Sequence, residues 1–105
     1  MSEQTKVSNA FFTFMKEAPE HSKAWMNVVK ELDSSSALDS KTEELAYIAV
    51  LAATRLESGL SFHVKHAKKL GATREEIISS VLIGLPAVGN IVIQALPIAL
   101  DAYDA

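Results

Sequence analysis

Apolar residues recur at helical spacing near the start of the chain. Two successive segments place apolar residues at positions i, i+3, i+4 and i+7, which fall on one face of an α-helix. Pro19 separates the segments, because proline ends one helix and is tolerated in the first turn of the next. The two stripes are Phe11, Phe14, Met15 and Ala18, then Trp25, Val28, Val29 and Leu32.

A third helix is predicted from Ser40 to Arg55, apolar around nearly its whole circumference. Ser40 with Glu43 gives the pattern of a capping box at its start. A helix that is apolar on every side lies at the centre of a domain or between subunits, so we expect this helix to be central.

The fourth helix is predicted to begin between Leu56 and Leu60 and to end at Gly71, since glycine favours helix C-termini. It completes an antiparallel hairpin with the third helix. Its predicted inner stripe is His63, His66, Ala67 and Leu70, and its solvated face is Lys65, Lys68 and Lys69.

Two further helices complete the predicted fold. Thr73 and Glu76 form a second capping-box pattern, opening a fifth helix that ends at Pro86. Its apolar stripe is Ile78, Val81, Leu82 and Leu85. A sixth helix is predicted from about Val88 to Ala102, with a kink at Pro97.

The C-terminal region has no charged residue between Ile77 and Leu100, a length that could span a membrane. Gly84, Pro86, Gly89 and Pro97 interrupt this run, which favours two buried helices instead. No segment alternates apolar and polar residues long enough to predict a strand. The pattern therefore predicts an all-α fold of six helices.

Composition narrows the functional classes. The 105 residues suffice for one domain, 1–105, and 49% of them are apolar, which predicts a homo-oligomer because a small chain cannot bury so much apolar surface alone. The net charge of −3 argues against binding to nucleic acid, which favours a basic surface. The absence of cysteine excludes disulfides, thiolate metal sites and thiol nucleophiles. No signal peptide is evident, so we expect a cytoplasmic protein.

The candidate chemistry lies in the predicted hairpin. Glu44 precedes a long uncharged run, and His63 and His66 follow on the next helix. Polar groups on such faces are paired or take part in chemistry. In the alternative interpretations, Glu44 pairs with Lys41, His63 binds a backbone carbonyl, and His66 has no role.

Other sites are less favoured. A metal bound by His63 and His66 would need further ligands, so we predict neither a metal nor a cofactor. Arg55 and Arg74 could hold a substrate carboxylate or could be surface charges.

The position of the hairpin turn decides whether Glu44 and His63 meet. A turn near residue 56 places His63 opposite Ile48, with Glu44 about 6 Å away along the helix axis. A turn centred on Gly59 places His63 opposite Arg55, with Glu44 roughly 16 Å further along.

The segments LDSKTEELAYIAV and GATREEI, with His63, Ala67 and Gly71 between them, resemble the carboxymuconolactone decarboxylase and alkylhydroperoxidase D superfamily. The likeness covers roughly residues 37 to 90. It implies an alkylhydroperoxidase D-like helical fold, a trimer or hexamer, and the early turn.

The resemblance also indicates which residues of this chain correspond to the family's site residues. The peroxidase branch carries a Glu, a Cys-x-x-Cys and a His, which fall here on Glu44, on Leu56 and Gly59, and on His63. Because both cysteines are missing, thiol peroxidase activity is not expected. In the decarboxylase branch, loss of CO₂ from an unsaturated lactone acid involves proton transfer, for which Glu44 and His63 are suited.

Three functions are therefore open. The first is a lyase or isomerase acting on a small carboxylated or lactone substrate, with His63 as acid/base and Glu44 as its partner. The second is a non-catalytic protein that binds a small ligand where the cysteines would lie, with His66, Leu56, Gly59 and Arg55 as candidate binding residues. The third is a purely structural subunit. No membrane partner is expected.

Overall fold

The computed structural model describes residues 9–105, and within this range it contains helices and no strand. The all-α prediction is therefore confirmed. The helices are α1 (Asn9–Glu17), α2 (Pro19–Ser35), α3 (Ser40–Ala53), α4 (Leu60–Lys69), α5 (Arg74–Leu82), α6 (Leu85–Val88), α7 (Asn90–Ile93) and α8 (Leu96–Asp104).

The chain divides into two compact units, of which the first ends at Asp39 and the second comprises Ser40–Ala105. The single-domain assignment stays a prediction. In the first unit, the rings of Phe11 and Phe14 contact each other with centroids 5.9 Å apart. The predicted stripe of α2 is helical, but its members Trp25, Val28, Val29 and Leu32 are all exposed.

The hydrophobic core lies in the second unit. Helix α3 contacts α4 and α5, and both of these contact α8. Three of the four buried residues nearest the C-terminus are alanines, which allow helix backbones to approach closely. The core consists of Ile48, Leu51, Ala52, Leu60, Val64, Ala67, Ala72, Ile77, Val81, Val92, Ala95, Ala99 and Ala102.

Two predicted faces are corrected by the structure. Helix α4 turns Leu60, Val64 and Ala67 inward, whereas His66 and Leu70 are exposed and His63 is only partly buried. Aliphatic side chains occupy the core because burying an imidazole requires a hydrogen-bonding partner. Helix α3 is buried on one side only, since Tyr47 and Val50 are exposed.

The C-terminal region begins as predicted and then departs from the prediction. The capping box of Thr73 and Glu76 is present at the start of α5. The predicted fifth helix ends at Leu82 rather than at Pro86, and the short helix α6 follows it. The predicted sixth helix is broken into α7 and α8, and Gly89, at φ 65°, lies between α6 and α7. Pro97 lies in the first turn of α8 rather than inside a helix, where its missing N–H is tolerated.

The single turns α6 and α7 lead into α8, so residues 9–105 contain six principal helices. Across residues 9–105, none of the helices has the length and apolar character needed to cross a membrane.

Candidate functional site

The turn between α3 and α4 takes the early position. After α3, Arg55 adopts the left-handed conformation at φ 63°, and the Leu56 N–H donates to the Leu51 carbonyl over 3.0 Å. The Arg55 N–H donates to the Ala52 carbonyl over 3.4 Å, which completes a Schellman motif. A short 3₁₀ turn, Glu57–Gly59, then leads directly into α4. This geometry brings the inner positions of the two helices together.

The early turn joins the two predicted site residues. His63 Nδ1 lies 2.5 Å from Glu44 Oε1, a short hydrogen bond across the hairpin. The side chains retain relative exposures of 26% for His63 and 16% for Glu44, so the pair is partly screened and still reachable from solvent.

The alternative partners are not the ones observed. Lys41 pairs with Glu76 of α5, at 3.1 Å, rather than with Glu44. His63 Nδ1 bonds the Glu44 carboxylate rather than a backbone carbonyl. Glu44 and His63 are therefore partners of each other, whichever function they serve.

This contact assigns different roles to the two imidazole nitrogens. A carboxylate only accepts hydrogen bonds, so Nδ1 carries the hydrogen and donates it to Glu44. In the neutral ring Nε2 then keeps its lone pair. His63 can accept or release a proton at Nε2, while Glu44 stabilises the cationic form of the ring.

Two aromatic residues that the sequence analysis did not single out border His63. The Tyr47 ring lies 4.6 Å from the imidazole with an interplanar angle of 59°, and the Phe62 ring lies 5.2 Å away at 83°. Tyr47 follows Glu44 by three positions, so the two share a helix face. The sequence shows this spacing, but in a helix that is apolar around nearly its whole circumference an aromatic residue is not distinguished from a core residue.

The other predicted site residues are more peripheral. His66 is exposed, and its ring lies 6.3 Å from the Phe62 ring at an angle of 10°, so Phe62 contacts both histidines. Gly59 sits over Leu51, where an added Cβ would lie 3.5 Å from Leu51 Cδ1. Leu56 and Arg55 are exposed at the turn. The structure thus brings His66 near the pair through Phe62, and it places Leu56 and Gly59, which align with the family's cysteines, at the turn.

A separate groove lies between α3 and α5, with a volume of about 430 Å³. It is lined by residues such as Ala46, Ala49 and Ser79, and neither Glu44 nor His63 belongs to its lining. Within residues 9–105, no three His, Cys, Asp or Glu side chains are grouped so that they could hold a metal ion.

Comparisons with known proteins agree with this architecture. The crystal structure of an apo carboxymuconolactone decarboxylase family protein from Legionella pneumophila is similar, with a TM-score of 0.77 and 28% sequence identity. The match covers 90% of this chain and 85% of that chain. No curated protein matches the sequence. The model of the carboxymuconolactone decarboxylase family matches residues 19–101, so the chain belongs to this family.

Proposed function

We propose that the protein is a thiol-independent acid/base enzyme, a lyase or isomerase acting on a small carboxylated or lactone substrate. The observation that carries this proposal is the 2.5 Å contact between His63 Nδ1 and Glu44 Oε1. It leaves Nε2 as the proton-transferring atom on a ring that is still partly exposed. His63 is the acid/base and Glu44 is its partner.

The chemistry is that of a decarboxylation completed by proton transfer. The substrate carboxylate leaves as CO₂, and the electron pair of the broken carbon–carbon bond remains on the substrate, delocalised into the unsaturated lactone. The His63 imidazolium then delivers its Nε2 proton to carbon, and solvent restores that proton. Such positioned proton transfer accelerates reactions by about 10²–10⁴-fold.

Peroxide reduction does not fit this chain. A thiolate must attack the peroxide and a second thiol must resolve the product, and the sequence contains no cysteine.

The test is turnover of a panel of unsaturated lactone acids, followed by released CO₂ and by loss of substrate absorbance. We expect His63→Gln to lower the rate by about 10²–10⁴-fold. Lys69→Gln, an exposed change on the same helix, is the matched control and should leave the rate unchanged. Turnover that survives in His63→Gln would contradict the proposal.

The second candidate is non-catalytic ligand binding, favoured by the exposed aromatic rings of Tyr47 and Phe62 beside the pair. A wild-type protein that binds lactone acids in calorimetry but turns none of them over would support it. Absence of both binding and turnover would favour the structural role.

The proposed assembly is a trimer or hexamer of the chain. Large apolar residues that remain exposed, among them Trp25, Val50 and Ile83, support it because such surface is usually covered in solution. Light scattering that gives the monomer mass at micromolar concentration would contradict this assembly.

A further inference from the structure

The two aromatic rings beside His63 are not required by the proton transfer itself. We propose that Tyr47, assisted by Phe62, is a positioning residue that holds the His63 ring with Nδ1 toward Glu44 and Nε2 toward the substrate. The proposal deepens the proposed function and rests on it for its catalytic meaning.

Tyr47 and Glu44 reach His63 from the same helix. They are three positions apart on α3, so their side chains lie next to each other on one face. Glu44 binds the edge of the imidazole at Nδ1, and the Tyr47 ring is tilted against it with centroids 4.6 Å apart. Helix α3 therefore supplies both the hydrogen-bond acceptor and a neighbouring wall.

Phe62 closes another side of the imidazole. Its ring meets His63 nearly edge to face, at 5.2 Å and 83°, which is a favourable arrangement for aromatic rings. The same ring lies nearly parallel to His66, at 6.3 Å. The Phe62 ring thus lies next to both histidines.

Core packing alone does not account for these rings. Tyr47 and Phe62 keep relative exposures of 44% and 46%, whereas Ile48, the next residue on α3, is fully buried. A half-exposed ring gains only part of the free energy of burial. What both rings share is contact with the imidazole of His63.

These contacts restrict rotation of the His63 ring. A half-turn about the Cβ–Cγ bond exchanges Nδ1 with a carbon atom and breaks the hydrogen bond to Glu44. Because the centroids of the Tyr47 and Phe62 rings lie only 4.6 Å and 5.2 Å from that of the imidazole, we expect them to oppose intermediate orientations. The expected consequence is one dominant neutral tautomer, with the hydrogen on Nδ1 and the lone pair on Nε2, which is opposite to the preference of free histidine.

The test reads the His63 tautomer by ¹⁵N NMR of ring-labelled protein, at a pH where the spectra show the neutral ring. Wild type and Tyr47→Phe, which keeps the ring, should show a pyrrole-type Nδ1 and a pyridine-type Nε2. Tyr47→Ala should show tautomer-averaged shifts, and Phe62→Ala a smaller change in the same direction. Lys69→Gln, an exposed change at the C-terminal end of α4, is the control and should resemble wild type.

An unchanged His63 signature in Tyr47→Ala would overturn the proposal. Tautomer-averaged shifts in Tyr47→Phe, equal to those in Tyr47→Ala, would also overturn it, because they would assign the effect to the hydroxyl rather than to the ring. Far-ultraviolet circular dichroism confirms that each variant is folded. The tautomer is measured without substrate. The positioning role of Tyr47 can therefore be confirmed or rejected even if the protein turns over no lactone acid.

Once a lactone acid that the protein turns over is identified, Tyr47→Ala should lower kcat by about 10- to 100-fold with little change in KM, because a misplaced catalytic group slows the reaction. Tyr47→Phe should retain the wild-type kcat. A loss confined to KM would contradict positioning.

Discussion

Among the polar contacts that join separate helices of the second unit, the Arg74–Asp104 pair and the Glu44–His63 pair differ in their surroundings. Arg74 and Asp104 join α5 to α8 through two hydrogen bonds of 3.0 Å, with side-chain exposures of 45% and 52%. Glu44 and His63 share a single contact, but they are far less exposed and are bordered by aromatic rings. The exposed pair has the more complete hydrogen bonding, and the screened pair has the better environment for chemistry.

The number of hydrogen bonds in a pair therefore does not indicate whether that pair is suited to proton transfer. An exposed ion pair contributes little because water and salt screen both charges. A partly buried imidazole held by one carboxylate keeps its second nitrogen available for proton transfer.

The strongest test removes one carboxylate charge from each pair. We expect Glu44→Gln to lower turnover of a lactone acid by about 100-fold or more, because the His63 ring loses the partner that orients it and stabilises its cation. Asp104→Asn removes the matching charge from the exposed pair and should leave turnover unchanged. Equal effects of the two substitutions would remove the distinction between the pairs.

A smaller effect is expected at the turn that sets the geometry of the screened pair. Helices α3 and α4 end in the same hydrogen-bonding motif, with Arg55 in the left-handed position of one and Gly71, at φ 99°, in that of the other. A non-glycine residue is strained there, so Arg55→Gly should stabilise the protein by about 0.5–1 kcal/mol.

Chemical denaturation measures this gain, and Thr54→Gly, which lies outside the left-handed position, is the control that should not stabilise. The same Arg55→Gly variant tests the predicted binding role of Arg55. Turnover that falls while stability rises would assign Arg55 to the substrate, whereas unchanged turnover would make it a surface charge.

The smallest expected effect is the acid sensitivity of the exposed pair. The hydrogen bond from Arg74 lowers the pKa of the Asp104 carboxyl below its ordinary value, and its positive charge acts in the same direction. A lowered pKa stabilises the fold above the unfolded-state value, about 3.9, and this contribution is lost as pH falls through the folded-state value.

The thermal midpoints of wild type and Asp104→Asn should therefore differ slightly at pH 6 and approach each other as the pH falls below about 3.9. The wild-type advantage at pH 6 should also shrink in high salt. The pKa of Glu76 is lowered by the backbone N–H of Thr73 and by Lys41. Its contribution to stability is lost in the same acid range in wild type and variant, so it does not change the difference between them. A gap that widens on acidification would contradict this assignment.

Local sequence signals predicted the local structure well. The capping box of Thr73 and Glu76 and the helix end at Gly71 are confirmed, because both depend on hydrogen bonds between residues close in the chain. The buried face of α4 shares only Ala67 with the predicted stripe, because aliphatic side chains rather than the two histidines face the core. The predicted sixth helix is broken, because Pro97 starts a helix rather than kinking one.

The candidate site was predicted in part. Its two central residues were found from their types and spacing, but their contact depended on where the turn falls. Tyr47 and Phe62 were missed because an aromatic residue on an apolar helix is indistinguishable in sequence from a core residue.

By itself, the sequence determined the all-α character, the main helix boundaries, the lack of any thiol, and the presence of Glu44 and His63 at family spacing. The tertiary structure decided which helix faces are buried, where the hairpin turns, and which rings border the imidazole. The two sets of features differ in how far apart along the chain the interacting residues lie. Helices and caps are set by hydrogen bonds within a few residues, whereas burial and the contact between His63 and Glu44 exist only once α3 and α4 pack against each other.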